Sequence, residues 1–200
     1  GRGQARRATD PQVAVLALLA GLPILAATIV ALTKGWTPLG DNATIAMRSG
    51  DVLRGRPPLV GMPSTSDMVR AGVRSDHPGP LEFYALALPG AILGPAGLVL
   101  AIAAANIGAC WAAIGIAWRR GGKPLATLTT GLVLVLCLTL GSTIIRDPLN
   151  SHAGLLPFLW VVLAAWDRGL GTVVNGQGIM RSDIVREIAG IPDDEVIMTC

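Results

Sequence analysis

Long stretches without charge set the organisation of the chain. Between Asp10 and Lys34, residues Pro11 to Thr33 are uncharged and rich in Leu, Ala, Val and Ile, the roughly 20 residues that a helix needs to cross about 30 Å of hydrocarbon. They predict a first membrane span at 11–33. Arg2, Arg6 and Arg7 precede it, as in a secretory signal, but the apolar core is too long for one and no small-residue cleavage site follows. A second uncharged stretch, from Glu82 to Arg119, is too long for one upright helix and is interrupted by Pro89 and Pro95. It divides into a short interfacial or re-entrant piece, 81–93, and a second span, about 96–118. Pro124 to Ile145 gives a third span, about 124–145. The fourth apolar run, about 150–166, is short for a crossing.

Composition agrees with lipid as the main solvent. Of the 200 residues, 52% are hydrophobic and 14% are charged, and the mean hydropathy is +0.57, whereas charged residues make up about 25% of soluble domains. The net charge of +3 comes with one Tyr and two Phe, too few aromatics for a base-stacking platform, so nucleic acid is excluded as the partner. Cys110, Cys137 and Cys200 have no CxxC spacing and no neighbouring His, and encode neither a disulfide framework nor a zinc site. The expected fold class is therefore mainly α: a polytopic helical membrane protein with three full spans, a short fourth, one interfacial or re-entrant segment and a short α/β tail. The start at Gly1 and the stop at Cys200, straight after an apolar run, read as those of a fragment.

Lysine and arginine set the orientation. Arg2, Arg6 and Arg7, together with Arg119, Arg120 and Lys123, fall on one side if the spans alternate, and that side is expected to be cytoplasmic. The loop 34–82 then lies outside the cell membrane. It carries basic residues of its own, nearly cancelled by Asp41, Asp51, Asp67, Asp76 and Glu82. The first domain, 1–166, ends where charge density rises and its sign reverses. The tail, 167–200, reads as strand, helix and strand, with Ser182 as N-cap and Gly190 as C-cap of the helix. Alone it is too small to bury a core.

Candidate chemistry gathers in the outer loop. Asp41 follows span one closely, and a carboxylate at the membrane surface can take a proton from a sugar hydroxyl and make it a nucleophile. The plainer reading makes Asp41 the N-cap of a helix beginning at Asn42, and Asp51 a solvated charge. His77, beside Pro78, reads as a loop residue or a substrate contact. Ser64 and Thr65, in MetProSerThrSer, suit a turn that holds a phosphate or a sugar hydroxyl, and the arginines at 48, 54, 56, 70 and 74 suit a phosphate or lipid headgroups.

Four blocks, GlyTrpThrProLeuGlyAspAsnAlaThrIleAlaMetArg (35–48), GlyAspValLeuArgGlyArgProProLeuValGlyMetProSerThr (50–65), HisProGlyProLeuGluPheTyr (77–84) and AsnSerHisAlaGlyLeuLeuProPhe (150–158), resemble the opening part of bacterial polytopic membrane proteins similar to GT-C glycosyltransferases. The resemblance covers about residues 10–166. It implies sugar transfer from a polyprenyl-phosphate donor to a cell-envelope acceptor, with Asp41 at the position of the catalytic acidic residue and Asp51, Ser64, Thr65 and His77 as substrate contacts. It also implies further spans beyond this chain. The tail is similar to something else: ArgGlyLeuGlyThrValValAsnGlyGln (168–177) and IleValArgGluIleAlaGlyIleProAspAspGluValIleMet (184–198) resemble the carboxy-terminal part of the FMN-dependent nitroreductase family. That resemblance implies NAD(P)H oxidoreductase chemistry, with Val174, Asn175, Gly176 and Gln177 beside the flavin, although the family's arginine-rich flavin-phosphate motif and central glycine loop are missing. The two resemblances meet near 164–167, as in a chimera. A non-catalytic membrane anchor or assembly protein is the third expectation.

Overall fold

The computed structural model describes residues 11–62 and 80–170, and among these the protein is mainly helical, with no strand. Six helices follow in order: α1 Pro11–Thr33, α2 Asp41–Leu53, α3 Leu81–Leu93, α4 Pro95–Ile144, α5 Asn150–Ala153 and α6 Leu155–Asp167. Two of them, α1 and α4, are long and apolar enough to cross a membrane. The helices α1 and α3 coincide with the first span and the short 81–93 segment read from the sequence. The fourth apolar run is divided by Gly154 into α5 and α6. The predicted α/β tail falls outside the described residues, apart from the chain up to Leu170.

As a straight rod the 50 residues of α4 would extend about 75 Å. They do not, because the Asn106 amide donates to the Ile145 carbonyl at 3.0 Å, joining positions near opposite ends of the helix. The reversal is at Gly122, whose φ of 63° and ψ of −152° are non-helical. A left-handed φ costs a residue with a Cβ but not glycine, so Gly122 turns α4 into a hairpin. This is the same place at which the sequence separates the second and third spans.

α1 packs along this hairpin. The Trp111 indole N–H donates to the Ala17 carbonyl at 2.8 Å, and Gly21 lies against Ile107, so α1 runs antiparallel to the first arm. Ala20, Ile24 and Ala27 meet Cys110, Ile114, Ala117, Val133 and Cys137 in one buried cluster, which Leu156 of α6 joins. Small residues on α1 and on the first arm of α4 permit this close approach. At the Gly122 end, Arg119 and Arg120 both engage Asp167, the last residue of α6. The start of α1 is also here, since Pro11, Gln12 and Val15 share a cavity with Lys123 and Thr127. Basic residues therefore gather at one end of the bundle.

The opposite end is capped by α2 and α3. Ile45 of α2, Phe83 and Leu86 of α3, Leu98 and Ile102 of α4, and Met62 form a second buried cluster. The Tyr84 hydroxyl donates to the Pro58 carbonyl at 3.3 Å and ties the segment after α2 to α3. This cap and the 145–153 segment behind it carry the candidate site.

Candidate functional site

Charged groups placed directly after the charge-free second arm of α4 have few partners nearby, so those they find are informative. Asp147 lies two residues beyond the C-cap of α4 and is 8% exposed. One of its carboxylate oxygens accepts from the Asn42 amide nitrogen at 2.6 Å, and the other lies 2.9 Å from His152 Nδ1. A protonated imidazole, or the neutral tautomer carrying its hydrogen on Nδ1, donates to that second oxygen. Asp147 thus joins the first turn of α2 to α5 across 105 residues of sequence. Both oxygens of a buried carboxylate are satisfied, as burial requires.

Glu82 stands in the first turn of α3 and faces this cluster. Burial, and next the negative charge of Asp147, push its carboxyl up to about 7. Its Oε1 is buried without a hydrogen-bond partner among the described residues, as are Asn42 Oδ1, Asn106 Oδ1 and Arg146 Nη1. The end of the bundle therefore combines a proton-exchanging group near neutral pH with polar atoms that still have capacity for hydrogen bonds. A pH dependence follows from the sign of the shift. Glu82 binds its proton more tightly folded than unfolded, where its value is 4.5, so the stability it contributes is fully present below about pH 4.5 and is lost as pH rises through about 7. The melting temperature in detergent is expected to fall across that window for the wild type and to stay flatter for Glu82→Gln, which cannot ionise. Parallel curves for the two proteins would show that Glu82 ionises as freely folded as unfolded.

Asp41, the catalytic candidate from sequence, is exposed, and its side chain makes no hydrogen bond among the described residues. It is the first residue of α2 rather than the cap before it; Gly40 occupies the N-cap position and makes no side-chain cap bond. Its carboxylate therefore lies where the positive end of the helix dipole is strongest, one residue from Asn42. Asp51 is placed elsewhere. It is ten residues beyond Asp41 along α2, about 15 Å by helix rise, and pairs with Arg56 at 3.1 Å on the surface, where such a pair contributes little. Ser64, Thr65 and His77 lie outside the described residues, as do Val174, Asn175, Gly176 and Gln177. No group of three or more metal-binding side chains occurs among the described residues.

No family model, curated protein or solved structure matches the chain. The site is thus defined by its own geometry, and that geometry adds Asn42, Glu82, Asp147 and His152 to the residues singled out in sequence. A signal for Asp147 is present there: Arg146 and Asp147 are adjacent charges directly following an uncharged span, and ionisable groups at such positions commonly serve function.

An apolar cavity of about 410 Å³ lies between α2 and α3. Its walls are small, with Ala46, Gly50, Ala87 and Gly90, and Arg54 is among the lining residues. This volume is within the range of small-molecule sites, about 300–1,000 Å³.

Proposed function

We propose that the protein is a membrane-embedded glycosyltransferase of the GT-C kind, which moves a sugar from a polyprenyl-phosphate donor to a hydroxyl of a cell-envelope acceptor. The observation that carries this reading is convergence. Three of the four sequence blocks that resemble GT-C proteins meet at one end of the helical bundle, through Asn42 of 35–48, Glu82 of 77–84 and His152 of 150–158, with Asp147 between them. The remaining block, 50–65, joins the same cap through Pro58 and Tyr84. Separate motifs have little reason to share a face unless that face does one job.

Lipid exposure supports the same reading. Val15, Leu18, Leu22, Leu25, Ile29 and Val30 are all more than 45% exposed along α1, a pattern expected of a helix surrounded by lipid rather than of a soluble core helix. The two arms of α4 then serve as the second and third spans, α6 as a short fourth, and α3 as the interfacial or re-entrant segment. The basic end, with Arg119, Arg120 and Lys123, faces the cytoplasm. The cap of α2 and α3 faces outward, where polyprenyl-linked sugars are used.

In the proposed reaction Asp41 removes the proton of the acceptor hydroxyl. The freed oxygen bonds to the anomeric carbon of the sugar, and the bond from that carbon to the phosphate oxygen breaks, with its electron pair leaving on the polyprenyl phosphate. The apolar cavity between α2 and α3 suits part of the donor's lipid chain. The native-length protein in proteoliposomes is expected to transfer label from a polyprenyl-phosphate sugar and not from a nucleotide sugar. In intact cells, Ser64→Cys in a Cys200→Ser background is expected to react with an impermeant maleimide added outside. Labelling only after permeabilisation would reverse the orientation, and transfer from the nucleotide sugar alone would remove the GT-C reading.

A further inference from the structure

We propose that Asp147 is a positioning residue, which fixes the first turn of α2 and so aims Asp41 at the acceptor; this rests on reading Asp41 as the base. An exposed carboxylate at the start of a helix is only as well placed as the turn that bears it. The first turn of a helix lacks half of its hydrogen bonds and frays unless something outside the helix holds it. Here Gly40 provides no side-chain cap. The hold comes instead from Asn42, whose amide donates to Asp147 at 2.6 Å.

Asp147 is in turn fixed from the other side. His152 Nδ1 lies 2.9 Å from its second oxygen, and the adjoining Ile145 carbonyl accepts from Asn106 at 3.0 Å on the first arm of α4. The tie therefore runs from the first arm of α4 through the 145–147 segment and Asn42 to the residue beside Asp41. With 8% of its surface exposed and both oxygens engaged, Asp147 is poorly disposed to meet a substrate itself. Asp41 is exposed and free to do so. Misplacement of a reacting group by about 1 Å can cost about a hundredfold in rate, so a tie of this kind is worth having.

The test exchanges the two partners. Asn42→Asp sets two carboxylates against each other, whereas Asn42→Asp with Asp147→Asn restores one amide donor and one carboxylate acceptor and leaves an Asn oxygen to accept from His152. In the native-length protein, Asn42→Asp is expected to speed amide hydrogen exchange in residues 43–45, the first bonded amides of α2, at least about tenfold, with the α4 hairpin unchanged. It is expected to lower kcat about ten- to a hundredfold, with KM for the lipid-linked donor and the pH profile little altered. The exchanged pair is expected to recover slow exchange and most of kcat. If Asn42→Asp does not accumulate as folded protein, recovery of folded and active protein by the exchanged pair decides the matter in the same direction. Unchanged exchange and kcat in Asn42→Asp, or no recovery by the exchanged pair, overturns the proposal. Slow exchange with no activity in the exchanged pair also overturns it, because Asp147 itself would then be the reacting group. The exchange measurement needs no turnover, so a wild-type protein that transfers no sugar would sink the glycosyltransferase reading while the tie to α2 is still judged on its own.

Discussion

Asp41→Asn in the native-length protein is expected to lower sugar transfer by at least about a hundredfold, the low end of what loss of a general base costs, and to leave the fold in place. The side chain is exposed and makes no hydrogen bond among the described residues, so the substitution removes little structure. What it does remove is a negative charge at the start of α2, an interaction with the helix dipole worth about 0.3–1 kcal/mol. Initial rates with a polyprenyl-linked donor, measured beside thermal unfolding in the same detergent, separate these effects. Transfer within about threefold of wild type would mean that Asp41 contributes only charge to a helix end, and the catalytic assignment would fail.

The helical framework was legible in the sequence because it depends on local properties. Absence of charge over 11–33 marks α1 at its observed bounds, absence of charge after Glu82 with Pro95 beyond marks α3, and the run from Arg119 to Lys123 marks the reversal at Gly122. The site was only half legible. Asp41 stands out from its place next to a span, but the significance of Asp147 depends on a partner 105 residues away, and no periodicity encodes that contact. Glu82 reads in sequence as one of five loop acids that offset the basic residues; its distinction comes from burial beside Asp147, which only the packing of α3 against α4 creates. His152 belongs to a quoted motif, yet its role needs the turn of α5 to set its imidazole against Asp147, five residues back. Asp51 shows the converse. Its sequence context resembles that of Asp41, but helix rise carries it to the far end of α2, where Arg56 takes it up.

Gly97→Ala is expected to destabilise the protein by at least about 2 kcal/mol, within the upper part of the range for overpacking, although only one methyl group is added. The reason lies at the corner where α3 hands over to α4. A Cβ on Gly97 would fall inside van der Waals distance of the Pro89 carbonyl carbon and oxygen, and 3.1 Å from Gly90 N. All three obstacles are backbone atoms, so no side-chain rotation relieves the clash and α3 must shift as a body. That shift would loosen Phe83 and Leu86, which are buried against Leu98 and Ile102, and would carry Glu82 away from Asp147. The damage should therefore be visible at the site as well as in stability: the Glu82-dependent fall in melting temperature between about pH 4.5 and 7 is expected to shrink, because a displaced Glu82 regains solvent. Gly108→Ala supplies the control. The added Cβ meets nothing within 4 Å there, and alanine favours helix over glycine by nearly 1 kcal/mol, so stability should be unchanged or slightly raised. Equal effects at the two glycines would mean that α3 does not sit against the start of α4 as described, and the convergence of the sequence blocks on one face would lose its structural basis.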